Sequence, residues 1–161
     1  MPAVYLALGS NIGDRRDNLR RAVATLAPEV QVIAQSPVYE TPAWGYEDQP
    51  PFLNMVLKGE TSLPPDSLLL HVKRLETELG RAPSFHWGPR LIDIDILFYD
   101  DVVLDTRALT IPHPRLHERA FVLVPLNYLA PTLVHPVLGQ TVSQLLSSLD
   151  TSGITLWKDE L

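Results

Sequence analysis

The 161-residue sequence contains no cysteine, which excludes disulfide bonds, thiol catalysis and zinc sites built on cysteine. It has no uninterrupted apolar run of the ~20 residues that a membrane-spanning helix requires. The motif Gly-x-x-x-x-Gly-Lys-Ser/Thr is also absent, which excludes a P-loop nucleotide site. Any chemistry on phosphates must therefore use a different arrangement of residues.

Composition indicates one globular unit with an acidic surface. Hydrophobic residues make up 45% of the chain, charged residues 20%, and the formal net charge is −6. This length suits one domain with a sizeable core, so a single domain over residues 1–161 is expected. The negative charge argues against general binding to nucleic acids or membrane surfaces. We also expect a monomeric chain.

Two short segments bear on location. Residues 4–8 are apolar but too few for a signal peptide, and no basic residue precedes them. The last four residues, Lys-Asp-Glu-Leu, spell a retention signal of the endoplasmic reticulum, which acts only on proteins already inside the lumen. We interpret this match as a coincidence and expect a cytoplasmic protein.

The spacing of apolar and turn residues predicts alternating strands and helices. Strands are expected over residues 3–8, 30–39, 52–61 and 91–99, with a short edge strand over 102–104. Helices are expected after Asp14, which can serve as an N-cap, and from an opening at Pro64-Pro65-Asp66 until Gly80. Shorter helical pieces are expected within 124–149, and the last dozen residues have no clear assignment.

The order strand, helix, strand, strand, helix, strand is that of the ferredoxin-like βαββαβ arrangement. It predicts an α+β fold with a mainly antiparallel sheet and helices packed on one of its faces. A short tail at the C-terminus, without a clear assignment, completes the expected organisation.

Asp93 and Asp95 are the most informative residues. Successive side chains of a strand alternate between faces, so the two carboxylates share one face while Ile92, Ile94 and Ile96 share the other. Parallel carboxylates repel each other, and a hard divalent cation relieves that repulsion. We interpret the pair as a magnesium site. The alternative is a pair of surface carboxylates, and Asp-x-Asp also occurs in glycosyltransferases and nucleases.

Arginines on either side of a Pro/Gly-containing loop indicate an anionic ligand. Arg81 and Arg90 flank this loop, and guanidinium groups match the geometry of phosphate oxygens. We interpret them as a mobile clamp, with Trp87 of the same loop shielding the site. The alternatives are solvated arginines and a tryptophan that packs permanently on the core.

Other residues indicate a flat ligand and further phosphate contacts. Asn54 offers paired donor and acceptor groups, and Phe52 and Phe121 can stack on both sides of a heterocycle. His113, between two prolines, and Arg119 can reach phosphate oxygens. Each phenylalanine alone is more typical of core packing, and a structural role for the histidine is a serious alternative.

Several motifs occur together in one order: Ala7-Leu8-Gly9-Ser10-Asn11, Tyr39-Glu40-Thr41-Pro42, Phe52-Leu53-Asn54, Gly80-Arg81, Trp87-Gly88-Pro89-Arg90-x-x-Asp93-x-Asp95, and Pro112-His113 through Arg119-x-Phe121. With them, the sequence resembles the 6-hydroxymethyl-7,8-dihydropterin pyrophosphokinases of folate biosynthesis over residues 3 to 149. The resemblance implies a ferredoxin-like fold and transfer of pyrophosphate from ATP to the pterin hydroxymethyl group, with release of AMP.

The resemblance also implies roles for individual residues. Asp93 and Asp95 would hold two magnesium ions, while Arg81 and Arg90 would act on the phosphates. The residues implied at the pterin pocket are Thr41, Pro42, Trp44, Phe52, Asn54, Asp93 and Phe121. Those implied at the ATP site are Glu76, Trp87, Arg90, Ile96, Thr110, His113 and Arg119.

The sequence departs from this family at a few positions. Residues 83–85 are Pro-Ser-Phe where many relatives have an additional basic residue, which predicts a stiffer and less charged loop. Pro114 stands where an aromatic residue is frequent, and Trp44 is bulkier than the aliphatic residue often found there. None of these departures removes a predicted metal ligand or either matched arginine.

Two other classes of protein remain possible from the residues alone. A two-metal hydrolase of nucleotides or nucleic acids would also use the carboxylate pair, although the acidic net charge counts against a nucleic-acid substrate. A non-enzymatic ferredoxin-like binding module would leave the carboxylates and the loop arginines without a role.

Overall fold

The computed structural model describes residues 1–43, 48–80 and 90–161, which form a sheet covered by helices. The strands are β1 (Ala3–Ser10), β2 (Val30–Gln35), β3 (Val38–Thr41), β4 (Phe52–Thr61), β5 (Asp93–Tyr99), β6 (Leu104–Asp105), β7 (Thr110–Ile111) and β8 (Thr155–Lys158). The helices are α1 (Arg15–Thr25), α2 (Pro65–Glu78), α3 (Ala120–Leu129) and α4 (Val142–Ser147), with a 3₁₀ turn over Leu116–Glu118.

The main sheet has the order β5-β1-β4-β3-β8, and β2 pairs with β4 beside β3. Every strand pairing within it is antiparallel. The first part of the chain follows the order β1-α1-β2-β3-β4-α2-β5, in which β2 and β3 together take the place of one predicted strand. The predicted α+β class with a mainly antiparallel sheet is confirmed.

The expectation that the helices pack on one face is wrong. Side chains of α1 and α2 form one core with Val4, Leu6 and Leu8 of β1. Side chains of α3 and α4 form a second core with Tyr5 of β1 and Val56 of β4. Because β1 is central in the sheet and apolar on both faces, each face needs its own layer of helices.

The single strand predicted over residues 30–39 is two strands separated by Ser36 and Pro37. Proline has no N–H to donate to a neighbouring strand. Ser36 replaces part of that pairing: its N–H donates to the carbonyl of Val56 at 2.9 Å, and its hydroxyl accepts from the Val56 N–H at 3.0 Å. Both strands therefore stay attached to β4.

Other boundaries also differ from the prediction. β5 begins at Asp93 rather than at residue 91. In place of the edge strand predicted over 102–104, the structure has β6 at Leu104–Asp105, which pairs with β7 outside the main sheet. α3 begins at Ala120, four residues before the first predicted helical piece. The last dozen residues, without an assignment from sequence, contribute β8.

The predicted helix signals agree with the structure. The Asp14 carboxylate accepts from the N–H of Asp17 at 3.1 Å, which caps the start of α1. Gly80, with φ of 97°, follows the end of α2 in the left-handed region that glycine adopts readily. Among the described helices, none combines the length and the apolar character needed to cross a membrane.

Candidate active site

A row of three residues crosses the centre of the sheet. Asp93 of β5 lies opposite Gly9 of β1, and Gly9 in turn lies opposite Asn54 of β4. In the next row on the same face, Asp95 lies opposite Ala7, which lies opposite Val56. The carboxylate pair and the amide of Asn54 therefore share the face that α3 and α4 cover further along.

The opposite face of β5 is apolar, as the alternation of side chains predicts. Ile92, Ile94 and Ile96 are buried in the core beneath α1 and α2. A register shift opposite Tyr5 and Leu6 then brings Phe98 to the carboxylate face, where its ring packs edge-on against Tyr5 at 6.3 Å. One face of β5 is thus polar at the start of the strand and apolar at its end.

A cavity of about 320 Å³ opens above this polar end. It brings together ten of the residues that the sequence singled out: Thr41, Pro42, Phe52, Asn54, Arg90, Asp93, Asp95, His113, Arg119 and Phe121. They come from β3, β4, β5, the start of α3 and the loops beside them. Chain segments up to 80 residues apart in sequence therefore meet in one place.

Three predicted residues do not line this cavity. Ile96 is buried on the other face of the sheet, and Thr110 lies on the small β6-β7 sheet, where its hydroxyl donates to the carboxylate of Asp105. Glu76 lies on α2 and is only 2% exposed. Three more, Trp44, Arg81 and Trp87, lie outside the described residues, as do residues 83–85. The roles assigned to all of these remain predictions.

Glu76 is bound to the free edge of β5 rather than exposed to the cavity. One carboxylate oxygen accepts from the N–H of Ile94, the residue between the two aspartates, at 2.8 Å. The other oxygen lies 3.2 Å from Nζ of Lys73, one turn earlier on α2. Glu76 thereby holds the strand that carries the carboxylate pair.

The electrostatics of Asp95 indicate a cation site. Burial, the charge of Asp93 and, to a lesser degree, that of Glu76 raise the pKa of Asp95 to about 7, although Lys73 and Arg119 act in the opposite direction. A carboxylate in such surroundings becomes fully ionised at neutral pH when a cation binds beside it. The donor set therefore fits a hard divalent metal ion.

No group of three or more acidic or histidine side chains within the described residues forms a complete metal cage. Two carboxylates supply only part of an octahedral coordination shell. Magnesium commonly binds through one or two carboxylates and takes its remaining ligands from phosphates and water. The site therefore suits metal ions that arrive together with a phosphate-bearing substrate.

Asn54 and Thr41 form the polar part of the opposite wall. Nδ2 of Asn54 donates to the hydroxyl of Thr41 at 2.7 Å, and this bond is buried. A Cβ at Gly9 would lie 2.7 Å from Oδ1 of Asn54, which is closer than such atoms approach. Only glycine at this position leaves room for the amide as it stands.

Arg119 and His113 lie on the side of the carboxylates. The guanidinium carbon of Arg119 is 5.7 Å from the centroid of the Phe121 ring, a cation–π distance. Burial lowers the pKa of His113 to about 4, and the charge of Arg119 acts in the same direction. Because Nδ1 of His113 accepts from the Arg115 N–H, the neutral ring carries its proton on Nε2.

Asn11 joins the two segments that lead into the site, a role that its motif alone did not reveal. It is 1% exposed, and its Oδ1 accepts from the N–H of Arg90 at 2.7 Å. Its Nδ2 donates to Gln49 at 2.8 Å and to the carbonyl of Pro50 at 3.0 Å. One buried amide therefore connects Arg90, three residues before β5, with the segment before β4.

Among the described residues, six more line the cavity without having been assigned a role from sequence: Ala7, Leu8, Gly9, Met55, Lys73 and Val122. Lys73 is the chemically important one because the positive charge of its ammonium group acts on the carboxylate of Asp95. Its spacing of three residues from Glu76 on an amphipathic helix was the available signal.

Comparisons with known proteins agree with this geometry. The sequence model of the family described as 7,8-dihydro-6-hydroxymethylpterin-pyrophosphokinase matches residues 5–131. The chain belongs to this family. It is 49% identical over 137 residues to 2-amino-4-hydroxy-6-hydroxymethyldihydropteridine pyrophosphokinase of Aquifex aeolicus, covering 85% of this chain and 86% of the relative. The pyrophosphokinase of Methylorubrum extorquens is 47% identical over 156 residues, covering 96% of this chain and 98% of the relative.

The chain is also similar to parts of longer proteins. The chain is 44% identical over 155 residues to the folic acid synthesis protein fol1 of Schizosaccharomyces pombe, covering 95% of this chain and 21% of that protein. A crystal structure of Plasmodium falciparum HPPK-DHPS A437G with STZ-DHP superposes with a TM-score of 0.73 at 19% identity. That match covers 91% of this chain and 45% of the other, and it supports the fold.

Proposed function

We propose that the chain transfers the pyrophosphoryl group of ATP to the hydroxymethyl group of 6-hydroxymethyl-7,8-dihydropterin, giving the pterin diphosphate and AMP in tetrahydrofolate biosynthesis. One observation carries this proposal. In a chain of the pyrophosphokinase family, a single cavity joins a carboxylate pair and several cationic side chains to an amide–hydroxyl pair beside two phenylalanines. Such a cavity suits one phosphate-rich substrate and one flat heterocycle.

The heterocycle would bind between β3, β4 and the start of α3. Phe52 and Phe121 supply faces for stacking, and Pro42 adds an apolar wall. With Nδ2 of Asn54 directed at Thr41, its Oδ1 lies above Gly9 as an acceptor for a ring N–H. A pterin offers donors and acceptors along one edge and two faces for stacking, which suits this combination.

The phosphates would bind on the side of β5. Arg90, Arg119 and Lys73 bring cationic side chains to the cavity, and neutral His113 offers an N–H from Nε2. Guanidinium groups bind phosphate oxygens through paired hydrogen bonds. Arg81 and Trp87 are proposed to join them from the segment that lies outside the described residues.

Asp93 and Asp95 are proposed to hold two magnesium ions, which would neutralise phosphate oxygens and lower the pKa of the attacking hydroxyl. The raised pKa of Asp95 and the shared face of the two carboxylates support this assignment. Glu76 contributes by holding the N–H of Ile94, which fixes the strand between the two carboxylates.

The reaction needs no covalent intermediate on the protein. The substrate hydroxyl oxygen forms a bond to the β-phosphorus, the bond from that phosphorus to the bridging oxygen of AMP breaks, and the hydroxyl proton is released. The protein's contribution is to hold the two substrates in line and to stabilise the charge that develops on the phosphates. The arrangement of Arg90, Arg119 and the carboxylate pair around one cavity suits both tasks.

Phosphorus NMR of the chain with ATP, magnesium and the reduced pterin tests this function. We expect AMP and the pterin diphosphate in equal amounts. Formation of ADP, or hydrolysis of ATP that does not require the pterin, would refute the proposal and favour a two-metal hydrolase. Absence of any reaction would favour a binding module.

Magnesium dependence is tested in the same assay. Chelation of divalent ions should abolish AMP formation, and added magnesium should restore it. Asp95→Asn should respond poorly to magnesium, whereas Asp101→Asn, at an exposed position just after the same strand, should behave like the unmodified chain. Equal magnesium responses of the two variants would contradict the metal assignment. Titration of metal binding in the presence of a non-hydrolysable ATP analogue tests the number of ions.

The cytoplasmic location and the monomeric state remain predictions. Cell fractionation tests the first and sedimentation equilibrium the second.

A further inference from the structure

Residues 150–158 lie beyond the part of the chain that the family model matches, yet they extend the sheet beside the cavity. β8 pairs antiparallel with β3, with Leu156 opposite Tyr39 and Thr155 opposite Glu40. The next residue of β3 is Thr41, which binds Asn54 in the cavity wall. β8 is thus hydrogen-bonded to the strand that presents the polar group of the proposed pterin subsite.

The turn before β8 lies against a second residue of that wall. A Cβ built on Gly153 would lie 3.4 Å from Cγ and 3.6 Å from Cδ of Pro42. Gly153 has φ of 85°, which places it in the left-handed region. The turn is closed by hydrogen bonds from the N–H of Ser152 to the carboxylate of Asp150 at 2.9 Å and from the N–H of Ile154 to the carbonyl of Thr151 at 3.2 Å. The turn therefore lies beside the Pro42 ring, with room between them for little more than one methyl group.

The segment is attached on the side away from the cavity. Trp157 and Leu161 pack against the core beneath α1 and α2. Arg16 of α1 donates to the carbonyl oxygen of Leu161 at 2.7 Å. These contacts anchor the segment to the rest of the fold. An anchored segment can restrict the movement of β3 and of Pro42.

We propose that residues 150–158 are a positioning segment of the pterin subsite, in which β8 holds β3 and the Gly153 turn holds the ring of Pro42 at the cavity wall. The proposal rests on the proposed function because it assigns Thr41 and Pro42 to pterin binding. It differs from mere coverage of a sheet edge, which would contribute to stability without affecting one substrate more than the other.

A matched pair of variants separates the two roles. Gly153 and Gly139 both have a positive φ, but a Cβ at Gly139 would have no neighbour within 4 Å. Asparagine tolerates the left-handed region better than other residues, so Gly153→Asn and Gly139→Asn carry a similar backbone cost. In Gly153→Asn, the Cβ would lie in van der Waals contact with the Pro42 ring, and the amide would add bulk beside that ring, whereas in Gly139→Asn the Cβ has no neighbour to press on.

The measurement is the steady-state KM for each substrate and kcat, together with the melting temperature. For Gly153→Asn we expect the pterin KM to rise about threefold or more, as for a displaced contact, with the ATP KM and kcat within about twofold. Gly139→Asn should leave both KM values unchanged. An unchanged pterin KM in Gly153→Asn, or an equal rise in both KM values, would overturn the proposal.

A chain that ends at Asp150 provides the second test. If this truncated chain folds, its pterin KM should rise more than the pterin KM of Gly153→Asn does, while its ATP KM should change little. An equal rise in the two KM values of the truncated chain would count against the positioning role. If it does not fold, the Gly153 and Gly139 variants still decide. An unmodified chain that forms no AMP would refute the proposed function, whereas normal AMP formation with an unaffected Gly153→Asn would refute only this inference.

Discussion

Replacement of Gly9 by alanine places one methyl group between the two substrate sites. Gly9 lies between Asn54 and Asp93 in the row that crosses the sheet. Its new Cβ would lie 2.7 Å from Oδ1 of Asn54 and 3.4 Å from Cδ1 of Phe52. The backbone of Gly9 does not require a positive φ, so the substitution acts through this contact rather than through backbone strain.

The size of the effect follows from the contacts that must change. Carbon and oxygen atoms rarely approach closer than about 3 Å, so the amide of Asn54 must move away from Gly9 by several tenths of an ångström. That movement strains the 2.7 Å hydrogen bond to Thr41, and overpacking of a tight site costs about 1–3 kcal/mol. If about 1–2 kcal/mol of this appears in pterin binding, the pterin KM rises roughly 5- to 30-fold.

Gly59→Ala is the matched control. A Cβ at Gly59 would meet Cγ1 of Val30 at the same 2.7 Å, and this contact faces the core beneath α1 and α2. Both variants should therefore lose stability, measured by urea denaturation, but only Gly9→Ala should lose affinity for the pterin. The assay is AMP formation at varied pterin concentration with ATP saturating, repeated with the substrates exchanged.

Two results would refute this reasoning. A normal pterin KM in Gly9→Ala would show that Asn54 does not need its present position for binding. An equal rise of the pterin KM in Gly59→Ala would show that general loosening of the sheet, rather than the contact with Asn54, is the cause.

Three further predictions concern the metal site and the residues around it. In metal-free protein the pKa of Asp95 is raised from the ordinary value of an aspartate to about 7, so the folded state loses stability as the pH rises between these two values. Asp95→Asn should weaken the resulting fall in melting temperature with pH, and it should reduce turnover at least ~10²-fold. An unaltered dependence of the melting temperature on pH would contradict this assignment. Asn11→Asp replaces the amide donor that faces Gln49 and Pro50 with an acceptor, so the free energy of unfolding should fall by about 1–3 kcal/mol. An unchanged midpoint of urea denaturation would argue against a stabilising role of these hydrogen bonds. Arg81→Ala should lower kcat with little change in melting temperature, whereas a large drop in melting temperature would favour a structural role.

Local signals in the sequence predicted most of the elements. Asp14 and Gly80 mark helix ends because a cap and a left-handed glycine act within one turn of the chain. The alternation around Asp93 and Asp95 predicted which side chains of β5 share a face, because strand geometry has a period of two. These features depend on neighbouring residues, so they are readable without the fold.

The errors concern features that depend on distant residues. The break at Ser36 and Pro37 is stabilised by hydrogen bonds to Val56 of another strand. The second layer of helices covers the second apolar face of β1. The sequence of β1 does not indicate which helices cover which face, because those helices lie far away along the chain. β8 went unassigned because most of its side chains are exposed and its stability comes from pairing with β3.

The sequence by itself restricted the chemistry of the candidate site, because residue types such as the carboxylate pair and the loop arginines limit the ligands that they can bind. It also determined the family, because several motifs occur in one order along the chain. Only the tertiary structure decided which residues meet. It joined Asn54 to Asp93 through Gly9, brought Lys73 to the carboxylates, and placed Ile96 on the opposite face. Cross-strand register and packing between helices set these neighbours, and neither is encoded in any short stretch of sequence.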